Sequence, residues 1–143
     1  MLVMGFDFGA NRTGVAIANT LTGIATPQSI LYAQQGKPDW VSISKLVEEW
    51  KPQQLVVGMP RKLDGSPSSM DKPIRKFCQQ LEQHTQLPVQ LADEQLSSRE
   101  AEQRLKSARQ AGRKRKIRKE EIDQLAAAII LENWMQGYAH GQQ

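Results

Sequence analysis

Residues 2–19 read LVMGFDFGANRTGVAIAN, and the fold is decided here. The stretch 2–9 is a continuous apolar run closed by glycine, which predicts a buried strand. The stretch 13–19, TGVAIAN, is a second such run after only a few turn residues, so the two are expected to form a hairpin. Gly9 and Gly14 are expected to let the chain turn tightly, with Arg12 at the tip. Asp7 breaks the apolar pattern. An unpartnered carboxylate beside a buried strand costs several kcal/mol, so Asp7 needs a partner, either Arg12 or a cation.

Working outward, 23–32 (GIATPQSILY) reads as a third strand in which Pro27 places a bulge or bend. The period then changes. Trp40, Ile43, Leu46, Val47 and Trp50 recur at spacings of three and four, an amphipathic helix over 39–50 that Asp39 can cap and Lys51-Pro52 ends. QQLVVGMP (53–60) is a short strand, followed by a polar loop with the turn signal Asp64-Gly65. A helix over 70–85 presents Ile74, Phe77, Cys78 and Leu81 on one face, with Pro73 in its first turn, where proline is tolerated. LPVQLADE (87–94) is another strand, ending on Asp93 and Glu94. SSREAEQRLKSA (97–108) carries a capping-box pattern and predicts a helix. Residues 109–119 have charge, a glycine and no apolar period, and read as a mobile loop. A last helix is expected over 119–137, with Ile122, Leu125, Ala126, Ile129, Ile130 and Trp134 apolar. The order is β-β-β-α-β-α-β-α-α. It implies an α/β fold: a five-stranded mixed sheet, three strands antiparallel and the later ones in parallel crossovers, flanked by helices. One domain is expected over 1–138, with a flexible tail over 139–143.

The 143 residues suit one ordinary domain, and 39% hydrophobic content is enough for one core. No apolar run approaches the roughly 18 residues of a membrane span. The N-terminus lacks the basic region and cleavage site of a signal peptide. A single cysteine, Cys78, excludes an intramolecular disulfide and a cysteine-rich zinc site, so a reducing cytoplasm is the simplest compartment. The net charge of +4 is unevenly spread. Nine of the 19 basic residues and none of the 15 acidic ones fall within 104–119, which leaves the rest of the chain net acidic. A local basic block beside an acidic body points to an anionic polymer held at one place, against the plainer reading of a solvated helix end and loop.

Three stretches place acids where a structural fold does not call for them: Asp7 in the first strand, Asp93 and Glu94 at the end of the last strand, and Asp123 in the first turn of the last helix. Asp123 shares its helical spacing with Ala126, Ala127 and Ile130, and those alanines predict a close approach of the helix to the sheet. Each acid has a structural explanation: a strand-end turn for Asp93, the helix dipole for Asp123, a salt bridge to Arg12 for Asp7. Together they favour metal. Clustered carboxylates repel unless a cation neutralises them, and hard oxygen ligands suit Mg2+ or Mn2+. Two such ions serve phosphodiester hydrolysis. His84 and His140 show no ligand spacing and read as surface residues. Ser97 and Ser98 have no histidine partner for nucleophilic catalysis, and Cys78 reads as core.

The stretches GFDFGANRTGVAIAN, ATPQSI, LVVGMPRKLDGSPS, LPVQLADEQLSSREAE and RKRKIRKEEIDQLAAAIILENW, in that order over nearly the whole chain, resemble the YqgF family of Holliday-junction-resolvase-like, pre-16S rRNA nucleases. The resemblance implies an RNase H-like fold and a metal-dependent nuclease centre with Asp7, Glu94 and Asp123 as its acidic triad. It implies a cytoplasmic role in maturing the 16S rRNA 5′ end. Arg12 matches the basic residue after the family's first glycine loop. Gly58, Pro60, Asp64, Gly65 and Ser66 match its G-x-P-x-x-x-D-G-S loop. The candidate nucleic-acid contacts are Arg12, Arg61, Lys62, Arg99, Arg113, Lys114, Arg115, Lys116, Arg118 and Lys119. One position departs from the family: D-E-R is usual after the last strand, and here it is Asp93-Glu94-Gln95. Gln95 keeps hydrogen bonding and loses the charge.

Four functions compete on these residues. The first is a Mg2+- or Mn2+-dependent nuclease on pre-16S rRNA. The second is a resolvase of branched DNA with the same centre, which acts as a two-fold dimer where the first can be a monomer or a homodimer. The third, motivated by Gln95, is an RNA-binding ribosome-assembly factor without catalysis. The fourth is an ATP-binding fragment, since G-x-D-x-G also resembles the phosphate loop of actin-like and sugar-kinase folds. Those folds need two such domains, and one chain of this length supplies one.

Overall fold

The computed structural model describes residues 1–60, 68–93 and 119–141. Its elements are β1 (Leu2–Phe8), β2 (Arg12–Asn19), β3 (Ile24–Tyr32), α1 (Trp40–Trp50), β4 (Gln54–Met59), α2 (Asp71–Thr85), β5 (Val89–Asp93) and α3 (Lys119–Gly141). The expected helix over 97–108, the loop over 61–67 and the basic stretch before Lys119 lie outside the described residues.

The strands form one sheet in the order β3-β2-β1-β4-β5. β1 pairs antiparallel with β2, and β2 with β3, as the short turns require. β1–β4 and β4–β5 are parallel, because a helix intervenes each time and carries the chain back to the starting edge. The mixed sheet read from the sequence is therefore the sheet that forms. Pro27 acts as expected: Val15 faces Ser29 while Ala16 faces Pro27, so Gln28 is the extra residue of a bulge in the edge strand.

The sheet is covered on both faces. On one, Met4, Phe6, Val15, Ile17, Leu55, Val57 and Met59 pack with Ile43 of α1 and Ile74, Phe77, Cys78 and Leu81 of α2. On the other, Val3, Ala16, Ala18, Val56 and Ala92 pack with Ala127, Ala128, Ile130, Leu131 and Met135 of α3. Consecutive strand residues serve opposite faces, as the two-residue period of a strand dictates. Asp39 caps α1: its carboxylate accepts from the Ser42 N–H at 3.1 Å and from the Ser42 hydroxyl at 2.7 Å. Those bonds hold the Asp39 carboxyl below the usual carboxylate range. Lys51 closes α1 in the left-handed region (φ 51°), its N–H donating to Val47 O at 2.8 Å.

Two element ends lie two or more residues from the sequence expectation. β5 begins at Val89 and not at Leu87, since Pro88 has no N–H to pair. The Pro88 carbonyl instead accepts from Leu55 N at 3.0 Å and from Gln54 Nε2 at 3.0 Å. α3 passes through Gly137 and ends at Gly141, because an exposed mid-helix glycine costs only about 1 kcal/mol and does not by itself stop a helix. α3 is also not a striped helix over its middle: every residue from 126 to 131 is buried. No described helix is long and apolar enough to cross a membrane.

Candidate active site

Asp7 is the penultimate residue of β1. Val3 belongs to the core under α3, while Met4 and Phe6 belong to the core under α1 and α2. The alternation places Asp7 on the α3 face, with Val3 and Gly5. It stands half-buried at the end of the strand. Its cross-strand partner is Gly14, which itself places no side chain beside the carboxylate. On the opposite face, Phe8 stacks on Phe77 with ring centroids 4.6 Å apart, and Phe77 stacks on Trp40 at 5.5 Å. This aromatic column clamps the end of β1 and so fixes the backbone from which Asp7 projects. Its outer member is His84, 4.3 Å from Trp40, so His84 is exposed as expected but also supports the column.

The β1–β2 turn is tight. Gly9 N donates to Arg12 O at 2.9 Å, leaving Ala10 and Asn11 between them. The glycine at position 9 is required by close approach and not by a left-handed backbone: a Cβ there would lie 2.8 Å from Arg12 O. Gly14 is not a turn residue but sits within β2 opposite Asp7, which corrects its expected role. Arg12 opens β2, two residues before Gly14 and hence on the same face as Asp7, diagonally across the hairpin. Diagonal neighbours lie about 7–8 Å apart, within reach of a long side chain. Residues 7–12 and Tyr32 border an open depression of about 470 Å3.

The direction of α3 follows from two contacts. A Cβ on Gly58 of β4 would collide with Ile130, and Trp134 Nε1 donates to Gln90 Oε1 of β5 at 2.9 Å. In the parallel register Gly58 faces Ala92 and Val56 faces Gln90. Going from Ile130 to Trp134 therefore descends toward the starts of β4 and β5, and α3 runs antiparallel to them. Its first turns accordingly lie at the carboxyl edge of the sheet, where β1 ends with Asp7-Phe8 and β5 with Asp93. Position 123 precedes Ile130 by two turns, about 10 Å along the axis. It is the fifth residue of α3, beyond the first turn in which a helix dipole acts, so the dipole is a weak reason for an acid there. In open α/β sheets the crevice beyond the carboxyl ends of the strands is where ligands bind.

The structure thus brings Asp7, Arg12 and the backbone at 123 to one edge. Glu94, Arg61, Lys62, Arg99, Arg113, Lys114, Arg115, Lys116 and Arg118 lie outside the described residues, and Lys119 is the first residue of α3. Among the described residues no three His, Cys, Asp or Glu converge as a metal site. Tyr32 was not singled out by sequence. Its place opposite Arg12 depends on the bulge at Gln28; without that extra residue Leu31 would stand there.

The comparisons agree with this architecture. The family described as "RuvX: Holliday junction resolvase" matches residues 1–137. A protein of Hydrogenovibrio crunogenus named "Putative pre-16S rRNA nuclease" is 48% identical over 134 residues, 94% of this chain and 92% of that relative. One of the same name from Methylobacillus flagellatus is 45% identical over 137 residues, 96% of this chain and 92% of the relative. Among solved structures, RuvC of Thermus thermophilus in complex with a Holliday junction superposes with a TM-score of 0.58 at 14% identity, covering 97% of this chain and 96% of that one. That likeness is one of fold, and the fold is RNase H-like. A match over nearly the full length, joined to close relatives of one name, shows that the chain belongs to the RuvX (YqgF) family.

Proposed function

We propose that this chain is a nuclease that hydrolyses phosphodiester bonds with the help of Mg2+ or Mn2+, and that its substrate is pre-16S rRNA in the bacterial cytoplasm. The observation that carries the reading is Asp7, a half-buried carboxylate held on a clamped strand end at the edge where α3 begins. The relatives' shared name supplies the substrate class. Asp7, Glu94 and Asp123 are the residues that would hold the ion. The donor chemistry fits: carboxylate oxygens are the hard ligands these ions take, and Gly14, opposite Asp7, adds no side chain of its own there. When bound, the ion supplies Lewis-acid activation of water and of the scissile phosphate. The chain itself binds and orients. Arg12 neutralises a phosphate beside Asp7, and the basic residues at 113–116, 118 and 119 hold the polyanion.

The family's description, Holliday junction resolvase, favours a second reading, resolution of branched DNA, for which a two-fold dimer would be needed to cut paired strands. One experiment separates these readings from a non-catalytic assembly factor. Precursor 16S rRNA and a synthetic four-way junction are incubated with wild type and Asp7→Asn, in Mn2+ and in EDTA. Wild type is expected to cut the RNA in Mn2+ and not in EDTA. Asp7→Asn should lower the rate by at least about 100-fold, since loss of even an outer partner of a metal ligand costs about 10–100-fold. Preference for the junction would select the resolvase reading. Cleavage in EDTA, or undiminished in the variant, would sink the metal-centre reading.

A further inference from the structure

We infer that Tyr32 is a stacking platform for an unpaired base of the substrate, next to the bond that Asp7 addresses. The inference rests on the nuclease reading and names the form of nucleic acid that the site takes. Tyr32 ends β3 with 52% of its surface exposed. The other large apolar side chains exposed to this degree among the described residues are aliphatic: Leu21, Ile24 and Val41. Leu21 and Ile24 sit at the opposite end of the β2–β3 hairpin.

Position gives the ring its meaning. In the register, Tyr32 faces Arg12, Arg12 lies two residues from Gly14, and Gly14 faces Asp7. Cross-strand partners, and residues two apart in one strand, share a sheet face. Asp7, Arg12 and Tyr32 therefore stand on one face, on three neighbouring strands, along the border of the same open depression. Adjacent strands are about 4.8 Å apart, so the strand that carries Tyr32 lies about 10 Å from the Asp7 strand. The order across the surface is carboxylate, guanidinium, aromatic ring. That order suits one stretch of nucleic acid: a bond at the carboxylate, a phosphate at the guanidinium, a base on the ring. A base can stack on a side chain only when its face is free, which duplex stacking prevents and a single strand permits. The phenol ring brings a large apolar face with little conformational freedom to lose.

The test measures binding of the full-length chain in EDTA, so that nothing is cut, to a single-stranded RNA and to a blunt duplex of the same sequence. Wild type, Tyr32→Ala, Tyr32→Phe and Arg12→Ala are compared, with a fluorescent base analogue in the single strand reporting stacking. Tyr32→Ala should weaken single-strand binding by about 5- to 100-fold and abolish the analogue's quenching. Tyr32→Phe, which keeps the ring, should match wild type in both. Duplex affinity should be unaffected by either. Arg12→Ala should weaken both substrates, because phosphate contacts do not distinguish them. If Tyr32→Ala binds the single strand as wild type does while Arg12→Ala does not, the stacking role is overturned and the nucleic-acid reading stands. Equal loss on both substrates also overturns it. Wild type that binds neither substrate removes both readings together.

Discussion

At the scale of residues, two ionisable groups in this chain show how placement decides role. Asp7 stands on one face of the sheet, and Cys78 of α2 packs against the other. Asp7 stands half-buried beside an open depression, where an acid can meet a ligand. Cys78 is buried between α2 and the sheet, where it is packing material. Burial, with a smaller contribution from nearby Glu82, pushes its thiol from an ordinary 9.0 up to about 11. The consequence for stability has a definite sign. The thiol stays neutral in the folded chain where the unfolded chain has already ionised, so its contribution is complete below pH 9 and is lost as pH rises toward about 11. Denaturant unfolding of wild type and Cys78→Ala between pH 8 and pH 11 checks this. The stability difference between the two should shrink in favour of the variant across that window. A difference independent of pH would show that the thiol is not desolvated. Below pH 9 a thiol reagent should label Cys78 only as fast as the chain unfolds.

At the scale of elements, the decisive contact is between α3 and the sheet. A Cβ on Gly5 would stand 2.5 Å from Leu131 Cγ, and one on Gly58 would collide with Ile130. Two glycines in adjacent central strands therefore form the trough into which α3 settles, and this sets how near its first turns come to Asp7. Gly5→Ala should destabilise by about 1–3 kcal/mol through overpacking. Leu131→Ala alone should cost about 2–5 kcal/mol as a cavity. The double variant should cost clearly less than the two together, because the new methyl fills space that the leucine vacates. Denaturant titration of the four proteins checks this, and strict additivity would show that the two positions do not share space. This contact explains what sequence could and could not show. The β1–β2 hairpin, the Pro27 bulge, the Asp39 cap and the buried face of α2 each follow from local pattern or from the chemistry of one residue, and each formed as read. The alanines of α3 correctly announced a close approach. Its burial from 126 to 131 was illegible, because a periodicity argument assumes one solvated face. The place of Tyr32 was hidden for a related reason: one bulged residue, Gln28, shifts every later pairing of β3.

At the scale of the whole molecule, the charge distribution carries the last argument. The sheet gathers Asp7 and the start of α3 at one edge, and the basic stretch of sequence runs directly into that helix, with Lys119 its first residue. Nine cations within 104–119 precede and open α3, and the rest of the chain is net acidic. On the proposed function, a polyanion drawn to this stretch would be held mainly by charge. Such binding weakens linearly in log–log terms with salt, with a slope of about 0.7–0.9 for each phosphate contact, because each contact releases condensed counterions. Replacing Arg113, Lys114, Arg115 and Lys116 with glutamine should therefore flatten the salt dependence of RNA affinity by up to about 3 in slope and weaken binding most at low salt. The loss should be similar for single-stranded and duplex RNA, in contrast to the strand-selective loss expected of Tyr32→Ala. Asp7→Asn supplies the control: by removing a negative charge it should leave the affinity in EDTA intact or slightly raised, while its cleavage rate in Mn2+ falls by at least about 100-fold. Affinities measured over a range of salt for these variants decide the matter. An unchanged slope in the glutamine variant would mean that the basic stretch is only a solvated surface, and the polyanion's contacts would then have to be sought along the face that Arg12 and Tyr32 share.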